Sequence, residues 1–209
     1  MTLLKTDATG AIAQYPYQAG DLLADHPHTS FAMPLNPEDL ADFGVFALTT
    51  TEAPSATLDT VVEEAPPALV DGVWTQQWAT VTASPEVQTS RRQALADSID
   101  NACAAITGRF LPFMREYEAR EAQAQAYKDA GYTGTVPVRV SEFCTPAGMP
   151  ASTATDLILS QAANLRAAEA ALSGLRMRKY EVLGAATGAD AQAAYTDIMA
   201  SIAAVGATI

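Results

Sequence analysis

Cysteine and histidine are scarce in this chain of 209 residues, which contains two of each. The two cysteines, Cys103 and Cys144, allow at most one disulfide bond, so a disulfide-stapled fold is excluded. We expect Cys103 on a helix and Cys144 in a loop. Both are expected to be buried, reduced thiols of a protein that is made inside a cell.

Long apolar runs are also missing. No stretch of the sequence approaches the roughly 20 apolar residues that a membrane-spanning helix needs, so we expect no membrane contact. The N-terminal residues MTLLKTDATGAIAQ lack the apolar core of a signal peptide. We therefore expect the protein to be made and folded in the cytoplasm.

Basic residues are rare in the first part of the chain. Of the net charge of −12, residues 1–86 carry −11, because twelve acidic residues there are opposed by Lys5 alone. A surface this acidic repels the phosphates of nucleic acids, so we expect no nucleic-acid binding. Two explanations of the charge stay open, namely solubility and attraction to a basic partner.

Motifs of covalent or cofactor chemistry are absent from the sequence. There is no Gly-x-Ser-x-Gly nucleophile motif and no glycine-rich phosphate loop. The carboxylate pairs Glu63–Glu64 and Asp39/Asp42 fall on polar positions and are interpreted as solvated surface groups. We therefore expect no catalytic residues, no cofactor and no enzyme activity.

The two histidines lie close together, in the segment Asp25-His26-Pro27-His28. In an extended chain, residues i and i+2 point to one side, so both rings could reach one metal ion. Zinc sites use three or four protein ligands, and no second histidine or cysteine cluster supplies them. We interpret the pair as turn residues and keep a metal-dependent enzyme using His26 and His28 as an alternative.

Short strands and turns are predicted before residue 85. Residues 42–50 predict a strand, and residues 36–43 predict one helical turn that starts with Asn-Pro. Residues 56–84 predict a strand, a break at the Pro-Pro pair, and a hairpin that turns at Asp71-Gly72, a dipeptide that tolerates positive φ angles.

The pattern changes to helix after Pro85. Apolar residues recur at spacings of three and four along two long stretches, as on the seam of a coiled coil. Pro112 is expected to kink the first helix or end it early. Residues 131–150 predict a long connection with an extended piece or one helical turn. The predicted helices are at about 86–130, 152–184 and 189–206.

The sequence thus predicts an α+β protein. A small β-rich module, residues 1–85, is followed by a helical region, residues 86–209. The two long helices are expected to form an antiparallel hairpin covered by the third. The alternative is a coiled coil wound from several chains.

Five aromatic residues of the first domain are candidates for a partner interface, since aromatic side chains anchor protein contacts. The candidates are Tyr15, Tyr17, Phe31, Trp74 and Trp78. The alternative is that they form the small core of this domain. The one dense basic segment, LRMRKYEVL (175–183), is expected to close a helix end or to contact the acidic first domain of the same or a neighbouring chain.

Four short motifs follow one another in the first domain. They are Tyr-Pro-Tyr, Asp-x-Pro-x-Thr-Ser-Phe, Phe-Gly-Val and Asp-Gly-x-Trp, in the segments YPYQAGDLLADHPHTSFAMPLNPEDLADFGVFAL and PPALVDGVWTQQWATVTASPE. In this order they resemble the N-terminal module of bacteriophage and prophage tail proteins of the tail-fibre region. The segments AYKDAGYTGTVPVRVSEFCTPAGMPASTATDLILSQA and LRMRKYEVLGA resemble the C-terminal region that accompanies it.

The resemblance implies a non-enzymatic structural or adaptor component of a phage tail. Its partners would be other tail proteins of the fibre, tail tip or baseplate, and it would form a homo-oligomer such as a trimer. It would be made in the cytoplasm of the bacterial host and be located in the virion tail. A tail-fibre assembly chaperone that leaves the virion is the alternative. Related modules carry Asn where this chain has His26 and His28, which favours a turn over a metal site.

Overall fold

The computed structural model describes residues 1–209, which form two compact units, Met1–Ala83 and Ser84–Ile209. All strands lie in the first unit, and the second unit consists of helices. The predicted α+β class, with a β-rich module before a helical region, is confirmed.

A three-stranded antiparallel sheet begins the first unit. Its strands are β1 (Leu3–Thr6), β2 (Ile12–Tyr17) and β3 (Val45–Ala47), in the order β2-β1-β3. Strand β3 was predicted from the sequence, whereas β1 and β2 were not. Their apolar residues do not alternate with polar residues as in a half-buried strand. The neighbouring residues Leu3 and Leu4, for example, are both buried.

Two short helical segments cover this sheet. Helix α1 (Ala19–Asp25) was not predicted, whereas the 3-10 turn Pro37–Phe43 lies where a helical turn was expected. Asn36 caps that turn by accepting a hydrogen bond from the Glu38 amide at 3.3 Å, and Gly44 ends it with a φ of 67°. A core forms between these elements. Its buried members are Leu3, Tyr17, Leu22, Leu40 and Val45.

A long β-hairpin completes the first unit. Strands β4 (Thr60–Val70) and β5 (Val73–Thr82) join at Asp71 and Gly72, whose φ angles of 49° and 81° confirm the predicted turn. The predicted break at the Pro-Pro pair is wrong. The strand continues through it as a bulge, in which two residues of β4 lie opposite one residue of β5.

Helices build the second unit, and the first predicted helix is divided in two. Helix α2 (Pro85–Thr107) is followed by a 3-10 turn, Leu111–Phe113, and by helix α3 (Met114–Asp129). The interruption at Pro112 agrees with the expected early end of the helix. A continuous helix over 86–130 is therefore wrong.

The connection between the long helices contains a helix of its own. Helix α4 (Val138–Ala147) replaces the extended piece or single turn expected within residues 131–150, so Cys144 is helical rather than in a loop. Val140 and Cys144 are four residues apart and buried on one face of α4. They pack in a cluster with Ala154 and Ile158, and this packing outweighs the preference of valine for strands.

Helix α5 (Ala151–Met177) is the longest helix, at about 40 Å. The predicted helix over 152–184 is wrong in its last part, because α5 ends at Met177 and helix α6 (Lys179–Gly184) follows it. Helix α7 (Gly188–Gly206) matches the third prediction closely. Helices α2, α3, α4 and α7 all contact α5, and α6 and α7 also contact α2.

The long helices pair within the chain. Glu121 of α3 binds Arg166 of α5, and Lys128, about two turns further along α3, lies 2.8 Å from Asp156, which is earlier in α5. The two helices therefore run antiparallel, as the hairpin prediction expected. The first arm of the hairpin is divided between α2 and α3.

Leu172 is a buried residue of α5, with 2% of its surface exposed. Its truncation measures how much the packing around α5 contributes to the stability of the helical unit. Leu172→Ala is expected to lower the free energy of unfolding by about 2–5 kcal/mol, through lost burial and a residual cavity. Leu157→Ala is the control on the same helix, because Leu157 is 38% exposed. Denaturant unfolding followed by far-UV circular dichroism measures both, and equal losses would contradict the assigned core.

Candidate interaction surfaces

Tyr17, one of the five predicted contact residues, is 1% exposed, so its assignment to a partner interface is wrong. Its hydroxyl donates a hydrogen bond to Asp25 Oδ2 at 2.9 Å, and Lys5 Nζ lies 2.5 Å from the same oxygen. Burial and the Asp25 carboxylate raise the pKa of Tyr17. The hydrogen bonds from Lys5 and Tyr17 lower the pKa of Asp25. This group fastens the end of α1 to the sheet.

Tyr15 is half-buried and links β2 to the hairpin. Its hydroxyl donates to Glu64 Oε1, which also accepts a hydrogen bond from Gln76 Nε2 at 2.8 Å. Burial, with a contribution from the Glu64 carboxylate, raises the pKa of Tyr15 to about 12. The hydrogen bonds from Tyr15 and Gln76 lower the pKa of Glu64.

The two tryptophans are also half-buried and make contacts inside the first unit. Trp78 Nε1 donates to the Thr51 carbonyl at 3.2 Å. The ring of Trp74 lies against that of Phe46, with 6.5 Å between their centroids. These contacts favour the core interpretation of the aromatic residues. Parts of both indoles stay exposed, so a partner contact through them stays a prediction.

His26 packs as an aromatic ring. It contacts Phe43 edge to face with 4.9 Å between centroids, and Phe31 in the same manner at 6.2 Å. Its Nε2 atom is buried without a hydrogen-bond partner, whereas His28 is exposed. Nowhere in the chain do three or more His, Cys, Asp or Glu side chains form a group that could hold a metal ion. The geometry therefore assigns His26 to packing.

The basic segment 175–183 binds acidic residues of the helical unit. Lys179 Nζ lies 2.5 Å from Asp100 of α2. Arg178 binds Asp197 of α7 at 2.9 Å and Glu181 of α6 at 2.8 Å. The segment thus joins three helices of one unit.

Exposed apolar side chains gather at the end of the β-hairpin. We call residues 69–73 the hairpin tip. Leu69 is 58% exposed, Val73 49% and Val70 46%, although all three are large and apolar. Asp71 adds a carboxylate at the turn itself. This surface was not predicted, although the sequence indicates it: apolar residues flank the Asp-Gly turn on both sides.

An open groove of about 630 Å³ lies at the corner where α2 passes into α3, beside the middle of α5. We call it the corner groove. Its apolar lining includes Phe110, Tyr117, Ile158 and Leu165. Arg109 also lines it, is exposed and makes no ion pair, and no acidic side chain contributes to the lining. Sequence analysis could not find this groove, because it depends on where the broken helix crosses α5.

Comparison with known proteins gives one relative. Over 97 residues the chain is 42% identical to a protein of Haemophilus phage HP1 described as an uncharacterized 23.3 kDa protein in the lys 3′ region. The chain has a bacteriophage relative. The aligned part covers 46% of this chain and 48% of that protein, so the match spans about half the length of each.

No family model and no solved structure matches the chain. None of the helices is both long and apolar enough to cross a membrane.

Acid is expected to weaken the first unit. The pKa values of Asp7, Asp25 and Glu64 are lowered by hydrogen bonds made in the folded chain. A carboxyl group whose pKa is lowered by folding stabilises the fold while ionised, and this contribution is lost as the pH falls through the folded pKa. Stability should therefore decrease below about pH 4.

Tryptophan fluorescence measures this loss selectively, since both tryptophans, Trp74 and Trp78, lie in the first unit. Asp25→Asn should be less stable at neutral pH and should show a shallower decline of the melting temperature with acid. Asp59→Asn is not a suitable control, because Asp59 has interactions of its own. Asp42→Asn, at an exposed position, should leave the profile unchanged.

The buried Nε2 atom of His26 predicts a stabilising substitution. His26→Phe keeps an aromatic ring against Phe31 and Phe43 and removes an unpaired buried nitrogen, which costs about 1–3 kcal/mol. We expect the free energy of unfolding of the first unit to rise by on the order of 1 kcal/mol. The exposed His28→Phe is the control. Destabilisation by His26→Phe would show that the nitrogen has a function in the native state.

Proposed function

We propose that this chain is a non-enzymatic component of a bacteriophage tail that acts by contacting other tail proteins near the fibre or the tail tip. The observation that carries the proposal is the similarity to the protein of phage HP1 over about half of the chain. Tail membership rests on the ordered motifs of the first domain, which resemble those of tail proteins.

The contacts that those motif residues make in the structure support the proposal. Tyr17 of the Tyr-Pro-Tyr motif donates a hydrogen bond to Asp25, the first residue of Asp-x-Pro-x-Thr-Ser-Phe. Phe31, the last residue of that motif, packs against the buried core of the first unit. Asp71 and Gly72 make the hairpin turn. These motif residues therefore organise a small fold.

The exposed surfaces support action by protein contact. The hairpin tip presents three large apolar side chains, and the corner groove is lined mainly by apolar side chains. Surfaces of this kind mark binding sites, because apolar area gains stability when a partner covers it. The hydroxyl of Tyr17 and the carboxylates of Asp25 and Glu64 are engaged in hydrogen bonds within the fold.

Mass spectrometry of purified particles tests the proposal. The phage or induced prophage that encodes this chain is purified by density gradient, and peptides of the chain are quantified against those of the tail-tube protein. A virion component is expected at a fixed integral ratio in particles from independent preparations. Particles that lack the chain while host lysates contain it would contradict the virion role and favour an assembly chaperone.

Deletion of the gene provides the matched control for that measurement. Particles from the deletion strain, complemented with the chain in trans, should regain the same ratio and full infectivity. Full infectivity of the uncomplemented deletion strain would contradict any necessary part in the tail.

A further inference from the structure

We propose that the chain self-assembles by docking the hairpin tip of one copy into the corner groove of a second copy. Both surfaces are exposed and largely apolar, and each carries one charged side chain without an ion pair: Asp71 at the tip and Arg109 in the groove. The proposal concerns the purified chain in solution and does not depend on the proposed tail function.

The hairpin tip has the shape and chemistry of an inserting element. It ends a two-stranded ribbon, and Leu69, Val70 and Val73 surround a tight two-residue turn. About half of each of these residues is in contact with water. The strand residues next to the tip pair with each other as far as Val70 and Val73, so the tip is a rigid feature rather than a loose loop.

The corner groove has the complementary chemistry. Phe110, Tyr117 and Leu165 offer apolar surface, and the volume of about 630 Å³ accommodates several side chains. Arg109 adds a positive charge that no acidic side chain of the chain neutralises. The second arginine of the groove, Arg120, is already paired with Glu116.

Charge selects the first unit of a second copy as the occupant. The first unit, Met1–Ala83, carries a net charge of −10, and Asp71 places one of its carboxylates at the tip itself. An unpaired Arg109 beside an apolar groove attracts this surface, and complementary charges set the orientation in which two surfaces meet. The apolar side chains then supply the buried contact.

The contact joins two different surfaces, which limits the assemblies that it can build. Each copy that uses its tip still has a free groove, and each copy that uses its groove still has a free tip. Such head-to-tail contacts close into rings when the rotation between copies allows it and otherwise extend into open chains. A closed ring would meet the expectation of a homo-oligomer such as a trimer.

Sedimentation velocity of the full chain over a wide concentration range tests the contact. The wild-type chain is expected to form species larger than a monomer as the concentration rises. Two variants are expected to sediment as monomers at concentrations at least tenfold higher: a tip variant, Leu69→Ser with Val73→Ser, and a groove variant, Arg109→Glu. All three substitutions lie at exposed positions, and circular dichroism confirms that the folds are intact.

Each variant has a matched control. Val81→Ser changes an apolar residue of the same hairpin that is 37% exposed but lies away from the tip. Arg115→Glu reverses an exposed charge on α3 that does not line the groove. Both controls should assemble like the wild-type chain.

Mixing the two defective variants gives the decisive result. The tip variant keeps an intact groove, and the groove variant keeps an intact tip, so an equimolar mixture should form a one-to-one dimer and nothing larger. A wild-type chain that stays monomeric, a mixture that stays monomeric, or controls that lose assembly equally would each overturn the proposal.

Discussion

The interruption at Pro112 is the constraint on which the helical unit depends. Proline cannot donate the backbone hydrogen bond that a continuing helix requires, and its ring clashes with the preceding turn. Helix α2 ends at Thr107, a 3-10 turn that contains the proline follows, and α3 begins at Met114. Both helices still reach α5, whose length of about 40 Å lets it contact them together. The corner groove lies at this interruption, because Arg109, Phe110 and Tyr117 all contribute to its lining.

The first unit depends on a different interaction, the carboxylate of Asp25. It accepts from the Tyr17 hydroxyl and lies 2.5 Å from the Nζ of Lys5, the single lysine or arginine among residues 1–86. The first unit carries a net charge of −10, from eleven acidic residues opposed by Lys5, and hydrogen bonds between polar groups carry part of its organisation. Tyr15 and Glu64 repeat the arrangement between β2 and the hairpin.

Elements that depend on the backbone preferences of one or two residues were predicted from the sequence. The Asp71-Gly72 turn, the turn capped by Asn36 and the interruption at Pro112 each follow from the backbone preferences of one or two residues. Helix α4 could not be predicted in this way. Its valines favour strands, and only burial of Val140 and Cys144 against neighbouring helices makes it helical. The pairing of Tyr17 with Asp25, and the corner groove, depend on contacts that periodicity does not reveal.

The central claim is that the chain belongs to the phage tail and works by contact. A cryo-electron microscopy reconstruction of the tail of the phage that encodes this chain tests it most directly. A tail role predicts density that fits the three-stranded sheet, the β4–β5 hairpin and the α5-centred helical unit beside the fibre or the tail tip, with side chains of a neighbouring tail protein against it. A complete tail reconstruction, with every density assigned to other proteins, would contradict the claim.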